Sequence, residues 1–231
     1  MTAFAFDKDQ MPLGIKLLPR DKRGYVIPWF VDRNAPPKDG GPDFRIMDGK
    51  RLKQAIREKR CWVCGLRIRD EESSAFVSGP MCGIERISSE PPSHEECARW
   101  SVRACPFLSQ PKRIRDDSGL DKTQVAMAGI GLEHNPGVSL VWVCDGYDEI
   151  KYDGAEGGNP GTLLALHEPS TVEFWTQGRM ATTAEVVDAL QLAIPKLGDR
   201  CKEMKNPVRE LFELGRRFER FLQYVPRDGT V

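Results

Sequence analysis

The sequence predicts an α+β fold in two halves, and three observations carry that prediction. Residues 61–97 hold two pairs of metal-ligand residues, Cys61 with Cys64 and His94 with Cys97. Residues 139–176 contain four short runs rich in β-branched and apolar residues, separated by turn residues. Two later segments open on helix-start strings, Thr182-Thr-Ala-Glu185 and Asn206-Pro207.

Composition bounds the class. The chain has 231 residues, 40% hydrophobic and 29% charged, enough for one large domain or two small ones. No apolar run approaches the roughly 20 residues that a membrane-spanning helix needs. Met1 to Gln10 carries Asp7 and Asp9 and lacks the apolar core of a signal peptide. Seven Cys, an odd number, favour metal binding over a disulfide framework. A cytoplasmic setting without membrane contact is expected. The net charge of zero hides a polarity: residues 1–115 have 22 Lys and Arg against 15 Asp and Glu, residues 116–231 have 12 against 19. The expected units are a basic, metal-binding half (1–115) and an acidic α+β half (116–231).

Taken in order, Tyr25 to Val31 reads as a strand that Pro28 confines to an edge, and Asp43 to Met47 as its return in a hairpin. Asp48-Gly49 starts a helix from Lys50 to Lys59, with Leu52, Ala55 and Ile56 on one narrow face. Leu66 to Arg69 and Ser74 to Ser78 read as two short strands. Ser93 and Glu96 form a capping-box string that opens a helix ended by Pro106. Gln110 to Lys122 reads as a connection. Strands are expected at Ser139 to Cys144, Asp148 to Tyr152, Thr162 to His167 and Val172 to Thr176, in an antiparallel or mixed sheet. A helix with Val186, Val187, Leu190 and Ile194 inward follows, bent or divided at Pro195. The last helix runs to about Tyr224, with Val208, Leu211, Phe212, Gly215, Phe218 and Leu222 on its buried stripe.

Cys61-Trp-Val-Cys64-Gly65 has the spacing of a knuckle whose turn amides point at both sulfurs. His94 and Cys97, three apart at a helix start, lie on one side of that helix. Together they supply four ligands for a tetrahedral structural Zn2+. Cys82 lies between the two pairs, and three roles are open to it: fourth ligand in place of His94, exposed thiol, or packing residue. Cys105 lies eight residues past Cys97, about 12 Å along a helix, too far to share the ion. Knuckle, hairpin and ligand-bearing helix follow one another in the order of a treble clef. Nucleases on that scaffold need a His in the hairpin. Residues 66–92 contain none, which argues against that chemistry.

The strings Cys-Trp-Val-Cys-Gly, Gly79-Pro-Met-Cys82, Ser89-Glu-Pro-Pro-Ser-His94-Glu-Glu-Cys-Ala98 and Ala104-Cys-Pro-Phe-Leu108 resemble an uncharacterised family of zinc-knuckle proteins of bacteria and their phages. The resemblance runs from about Pro28 to Arg115, and more loosely over Pro136–Val141 and Glu168–Ala184. It implies a bacterial or phage-infected cytoplasm and transfers no activity.

The helix from Lys50 has six Lys or Arg in eleven positions and runs into the knuckle. Lys50, Arg51, Lys53, Arg57, Lys59 and Arg60 are the candidate nucleic-acid contacts, joined by Arg67 and Arg69 and by Lys112, Arg113 and Arg115. The expected function is a zinc-stabilised binding protein whose partner is nucleic acid or an acidic protein. The alternative is an enzyme with a small-molecule or nucleotide site in the second half, where His134 beside Glu133, His167 beside Glu168, and Arg179 are the candidate groups. No phosphate-cradling glycine loop and no serine nucleophile elbow is present.

Overall fold

A computed structural model describes residues 11–38, 40–110, 137–152 and 161–227. In chain order they form α1 (Leu13–Lys16), α2 (Gly49–Glu58), β1 (Ser74–Ser78), α3 (Pro80–Glu85), β2 (Ile87–Ser88), α4 (Glu95–Ala104) and α5 (Pro106–Ser109). There follow β3 (Ser139–Cys144), β4 (Tyr147–Tyr152), β5 (Gly161–Leu166), β6 (Pro169–Thr176), β7 (Arg179–Met180), α6 (Thr183–Lys202) and α7 (Pro207–Leu222). The architecture is α+β, with two antiparallel sheets ordered β1-β3-β6-β7 and β2-β5-β4. Each sheet takes a strand from residues 74–88 and the rest from residues 139–180, so both straddle residue 115 in sequence.

β3 organises the molecule because its residues are apolar on both sides of the pleat. Leu140, Trp142 and Cys144 join a core with α3, α6 and α7, which includes Phe76, Phe174, Val186, Leu190 and Phe221. Val141 and Val143 face the other way and meet Ala98 and Val102 of α4. The helix that carries Cys97 is therefore bedded on the central strand. A strand buried on both faces wants partners on both edges, and β3 has them in β1 and β6.

The four strands expected after residue 138 all form, β4 and β6 starting one and three residues earlier than read. Thr182 caps α6, accepting from the Glu185 amide while the Glu185 side chain accepts from the Thr182 amide. α6 runs unbroken through Pro195. The carbonyl that Pro195 cannot engage belongs to exposed Gln191, where water can satisfy it. Asn206 caps α7 by accepting from the Arg209 amide.

Several local readings are corrected. Among the described residues, the two segments read as a hairpin over 25–47 share one bridge, Val31 with Met47, flanked by two hydrogen bonds, Asp32 N to Ile46 O and Asp48 N to Phe30 O. Pro28 has no amide to extend it. Leu66 to Arg69 does not pair with β1. Arg67 instead bridges Arg60, and β1 pairs with β3. The capping box at Ser93 does not form: Ser93 exchanges both backbone hydrogen bonds with Ala75, and the helix begins one residue later with His94 as its N-cap. α7 buries Leu214 and Phe221, leaving Val208, Leu211, Phe212, Gly215 and Leu222 exposed. The connection read at 110–122 and the glycine-rich turn at 153–161 lie almost wholly outside the described residues.

Candidate metal centre

The knuckle is tied on three sides. The Cys61 amide donates to Leu66 O at 2.8 Å, Trp62 N to Pro92 O at 2.8 Å, and Trp29 N to Val63 O at 2.7 Å. The Gly65 amide returns to Cys61 O at 2.8 Å, closing the turn. The Cys64 amide points at Cys61 Sγ, 3.4 Å away. Gly65 is required here twice over. Its φ is +79°, and a β-carbon on it would lie 2.5 Å from the Trp29 ring.

The second pair comes from the start of α4. His94 has an extended backbone (φ −62°, ψ 148°), and Cys97 follows in the first helical turn. The extended residue swings the imidazole back beside the helix axis and into the knuckle.

One ligand atom from each of Cys61, Cys64, His94 and Cys97 lies within 4.8 Å of all the others. His94 Nδ1 is 3.4 Å from Cys64 Sγ and 3.9 Å from Cys97 Sγ. Zn–S bonds of ~2.3 Å and Zn–N bonds of ~2.05 Å at the tetrahedral angle require a sulfur–nitrogen edge of about 3.6 Å. The two measured edges bracket it. The three sulfurs are buried and the imidazole half-buried. The cluster could hold a metal ion, and soft thiolates with one imidazole suit zinc.

The remaining imidazole nitrogen sets the tautomer. His94 Nε2 lies 3.3 Å from the Arg67 carbonyl and 3.9 Å from a Glu72 carboxylate oxygen. With a metal bound, a proton on Nε2 would donate to that carbonyl and leave the Nδ1 lone pair for the ion. Electrostatics also favours a cation. Hydrogen bonds to the Cys61 and Cys64 sulfurs, resisted by burial, push His94 up to about 11. Burial opposes ionisation of Cys61, yet hydrogen bonds from Cys64, Cys97 and His94 hold its thiol well below the ordinary range. Cys97 is pushed up, first by its hydrogen bonds to Cys61 and Cys64. Concentrated sulfur charge retains protons, and a dication would displace them.

Cys82 lies outside the cluster, on α3. Burial, reinforced by the charge of Glu90, pushes its thiol up to about 11, an environment for an inert neutral thiol. Among the described residues His94, not Cys82, completes the four-membered cluster.

The basic residues divide. Lys50, Lys53 and Arg57 point outward from α2, and Arg67 and Arg69 are exposed just past the knuckle. Arg51 instead turns inward. It donates to the carbonyls of Trp29 and Val31, pairs with Asp48 at 3.3 Å and covers the Trp29 ring. Arg60 donates to Gly65 O and to Glu58. Glu58 also meets Arg57 at 2.6 Å, and these contacts, with Arg57 the foremost, hold its carboxyl down to about 2. Lys59 reaches Asp70 at 3.4 Å. Lys112, Arg113 and Arg115 lie outside the described residues, as does His134. His167 bridges Asp145 at 3.0 Å and Asp148 at 3.4 Å on an exposed turn. Arg179 is taken up by Glu185 at 2.7 Å.

Sequence reading missed the groups that hold the ligands. The Arg67 carbonyl and the Trp29 ring leave no residue pattern at the knuckle, because a carbonyl has no side-chain identity and Trp29 is thirty-two residues from Cys61. Only Glu72, in an acidic run close to the knuckle, had a signal. Comparison with protein-family models, curated proteins and solved structures finds no match. The resemblance carried by the Cys and His strings is thus not joined by a matched relative. No helix among the described residues is long and apolar enough to cross a membrane.

Proposed function

We propose that the protein is a zinc-stabilised cytoplasmic binding protein whose basic surface beside the metal knuckle contacts nucleic acid. One observation carries the reading: the basic helix is joined to the knuckle by backbone hydrogen bonds. Lys59 caps α2 in the left-handed conformation, the Ile68 amide donates to Lys59 O at 2.8 Å, and Arg60 bridges Arg67. Lys50, Lys53 and Arg57 thus stand on a helix held against the ligand turn, with Arg67 and Arg69 beyond it. A rigid set of exposed cations suits phosphate contact, which positions a protein on a polyanion without reading sequence.

Cys61, Cys64, His94 and Cys97 would hold the zinc. Four protein ligands leave it no position for water, so its role is to fold the knuckle in a treble-clef-like arrangement. An enzymatic reading has less support. The cavity between α3, β3 and α7, lined by Arg86, Trp142, Glu168 and Tyr224, measures about 20 Å³, room for one water.

The test is fluorescence anisotropy with single- and double-stranded DNA and RNA over a salt series. Binding that weakens with salt, and is lost in a Lys50→Glu, Lys53→Glu, Arg57→Glu variant of unchanged Tm, is the expected result. Absence of salt-sensitive affinity for all four probes overturns the nucleic-acid reading. An acidic protein is then the partner to seek.

A further inference from the structure

α7 carries two apolar stripes where a helix resting on a core needs one. Leu214 and Phe221 lie inward. About a quarter turn round the helix, Val208 is 80% exposed, Phe212 66%, Leu222 45% and Leu211 39%. Gly215 lies in the middle of this outer stripe, and a β-carbon on it would meet nothing. A glycine inside an exposed helix costs about 1 kcal/mol relative to alanine. That cost makes its position informative.

The outer stripe reads alike from both ends. Val208 and Leu222 stand seven residues either side of Gly215, and Phe212 and half-buried Phe218 three residues either side. Glu219 lies just inside one edge of the stripe, and Arg209 about a sixth of a turn outside the same edge. Neither side chain has an ion pair or hydrogen bond among the described residues, although Arg216 nearby meets Glu213 and Arg217 meets Glu85.

We infer that the outer stripe of α7 is the contact with a second copy of this chain, the two α7 helices antiparallel about a two-fold axis at Gly215. A two-fold interface uses one patch twice, so the patch must complement itself. In this register Val208 of each copy meets Leu222 of the other, and Phe212 meets Phe218. Arg209 falls about half a turn along the axis from Glu219 of the second copy, giving two symmetric pairs of opposite charge. Gly215 at the axis lets the helices approach, since interaxial distance follows the side chains at the crossing. A sixteen-residue helix is about 24 Å long, and one such stripe falls short of the roughly 800 Å² per partner of a standard stable interface. The dimer is therefore concentration-dependent.

Sedimentation velocity of the full chain over a hundredfold concentration range tests this. The wild type should pass from monomer towards dimer, and Phe212→Glu should stay monomeric with an unchanged circular-dichroism spectrum. Arg209→Glu and Glu219→Arg should each weaken association about 5-fold or more, and the double swap should restore it. A wild type that is monomeric throughout overturns the proposal, and the stripe would then serve a different protein. A dimer indifferent to Phe212→Glu, or a double swap no better than its singles, overturns it equally.

Discussion

Two cores in this molecule are built by different means. The larger, between the four-stranded sheet and α3, α6 and α7, contains nineteen buried hydrophobic residues, among them Trp142, Phe76, Phe174 and Phe221. The smaller, around the knuckle, contains eight, and three of these are Cys61, Cys64 and Cys97 themselves. The described residues of 11–73 contribute two helices, α1 and α2, and only isolated bridges, with no strand ladder. Apolar burial at about 25 cal/mol per Å² can sustain the first core. The second has fewer than half as many residues, and a cation bound between its sulfurs would draw them together. In a short, proline- and glycine-rich stretch with so small a core, ligand bonds to such an ion would supply the missing cohesion.

Removing metal should give the largest effect. Apparent binding free energies at four-ligand zinc sites are roughly 10–16 kcal/mol, and most of that is folding energy of the knuckle. Hydrogen–deuterium exchange after chelation should show protection lost at residues 59–68 and 93–98, while the β3 and β6 amides keep theirs. Equal loss in both regions would mean the two cores unfold as one unit, because α4 is bedded on β3.

Trp142→Ala addresses the other core. The ring is fully buried and its Nε1 donates to His167 O at 3.1 Å, so truncation should cost about 3–5 kcal/mol. Denaturant titration should report that loss while metal content stays unchanged. A fall in metal content would show that the sheet, not the ligand set, holds the knuckle.

Much of this division was legible in the sequence, for reasons that differ by region. Ligand spacing survives any context, so Cys61, Cys64, His94 and Cys97 could be named at once. The strands from Ser139 to Thr176 announce themselves because β-branched runs between turns have few alternatives. The helix at Thr182 was readable because its capping box is exposed and faces no competitor. The same kind of string at Ser93 misled, since Ser93 had already committed both backbone groups to Ala75. Long-range pairing overrode a local signal there. β1 was recognisable as a strand but its partner was not. Pairing with β3 spans more than sixty residues, and no local pattern records it. The buried side of α7 was misread because its strongest apolar period belongs to the outer stripe. Basic residues on α2 look alike in sequence, and only the positions of Trp29 and Asp48 separate Arg51 from Lys53. Arg51→Glu would therefore damage packing and should not be used to probe binding.

Gly65→Ala should have an intermediate effect. A positive φ and the Trp29 ring in the way together cost about 1–3 kcal/mol. Weaker retention of metal against a chelator, with a shift in tryptophan fluorescence, is the expected readout. Normal retention would mean the turn relaxes without moving Cys64.

The smallest effect concerns pH. A hydrogen bond from Arg179, then one from the Thr182 amide, hold the Glu185 carboxyl down to about 2. A depressed carboxylate stabilises the fold above its unfolded value, near 4.5, and that contribution fades as pH falls towards 2. Carbon-detected NMR of Glu185 should show the low midpoint. A midpoint near 4.5 would mean that the α6 cap is not formed in solution.

In the proposed reading, three sulfurs and one imidazole nitrogen form a closed set that holds one zinc ion. X-ray absorption at the zinc edge, with elemental analysis of protein purified without chelator, tests it most directly. One zinc per chain is the expected result, with three sulfurs at ~2.3 Å and one nitrogen at ~2.0–2.1 Å. Metal-free protein, or a shell containing water or only two sulfurs, would contradict it.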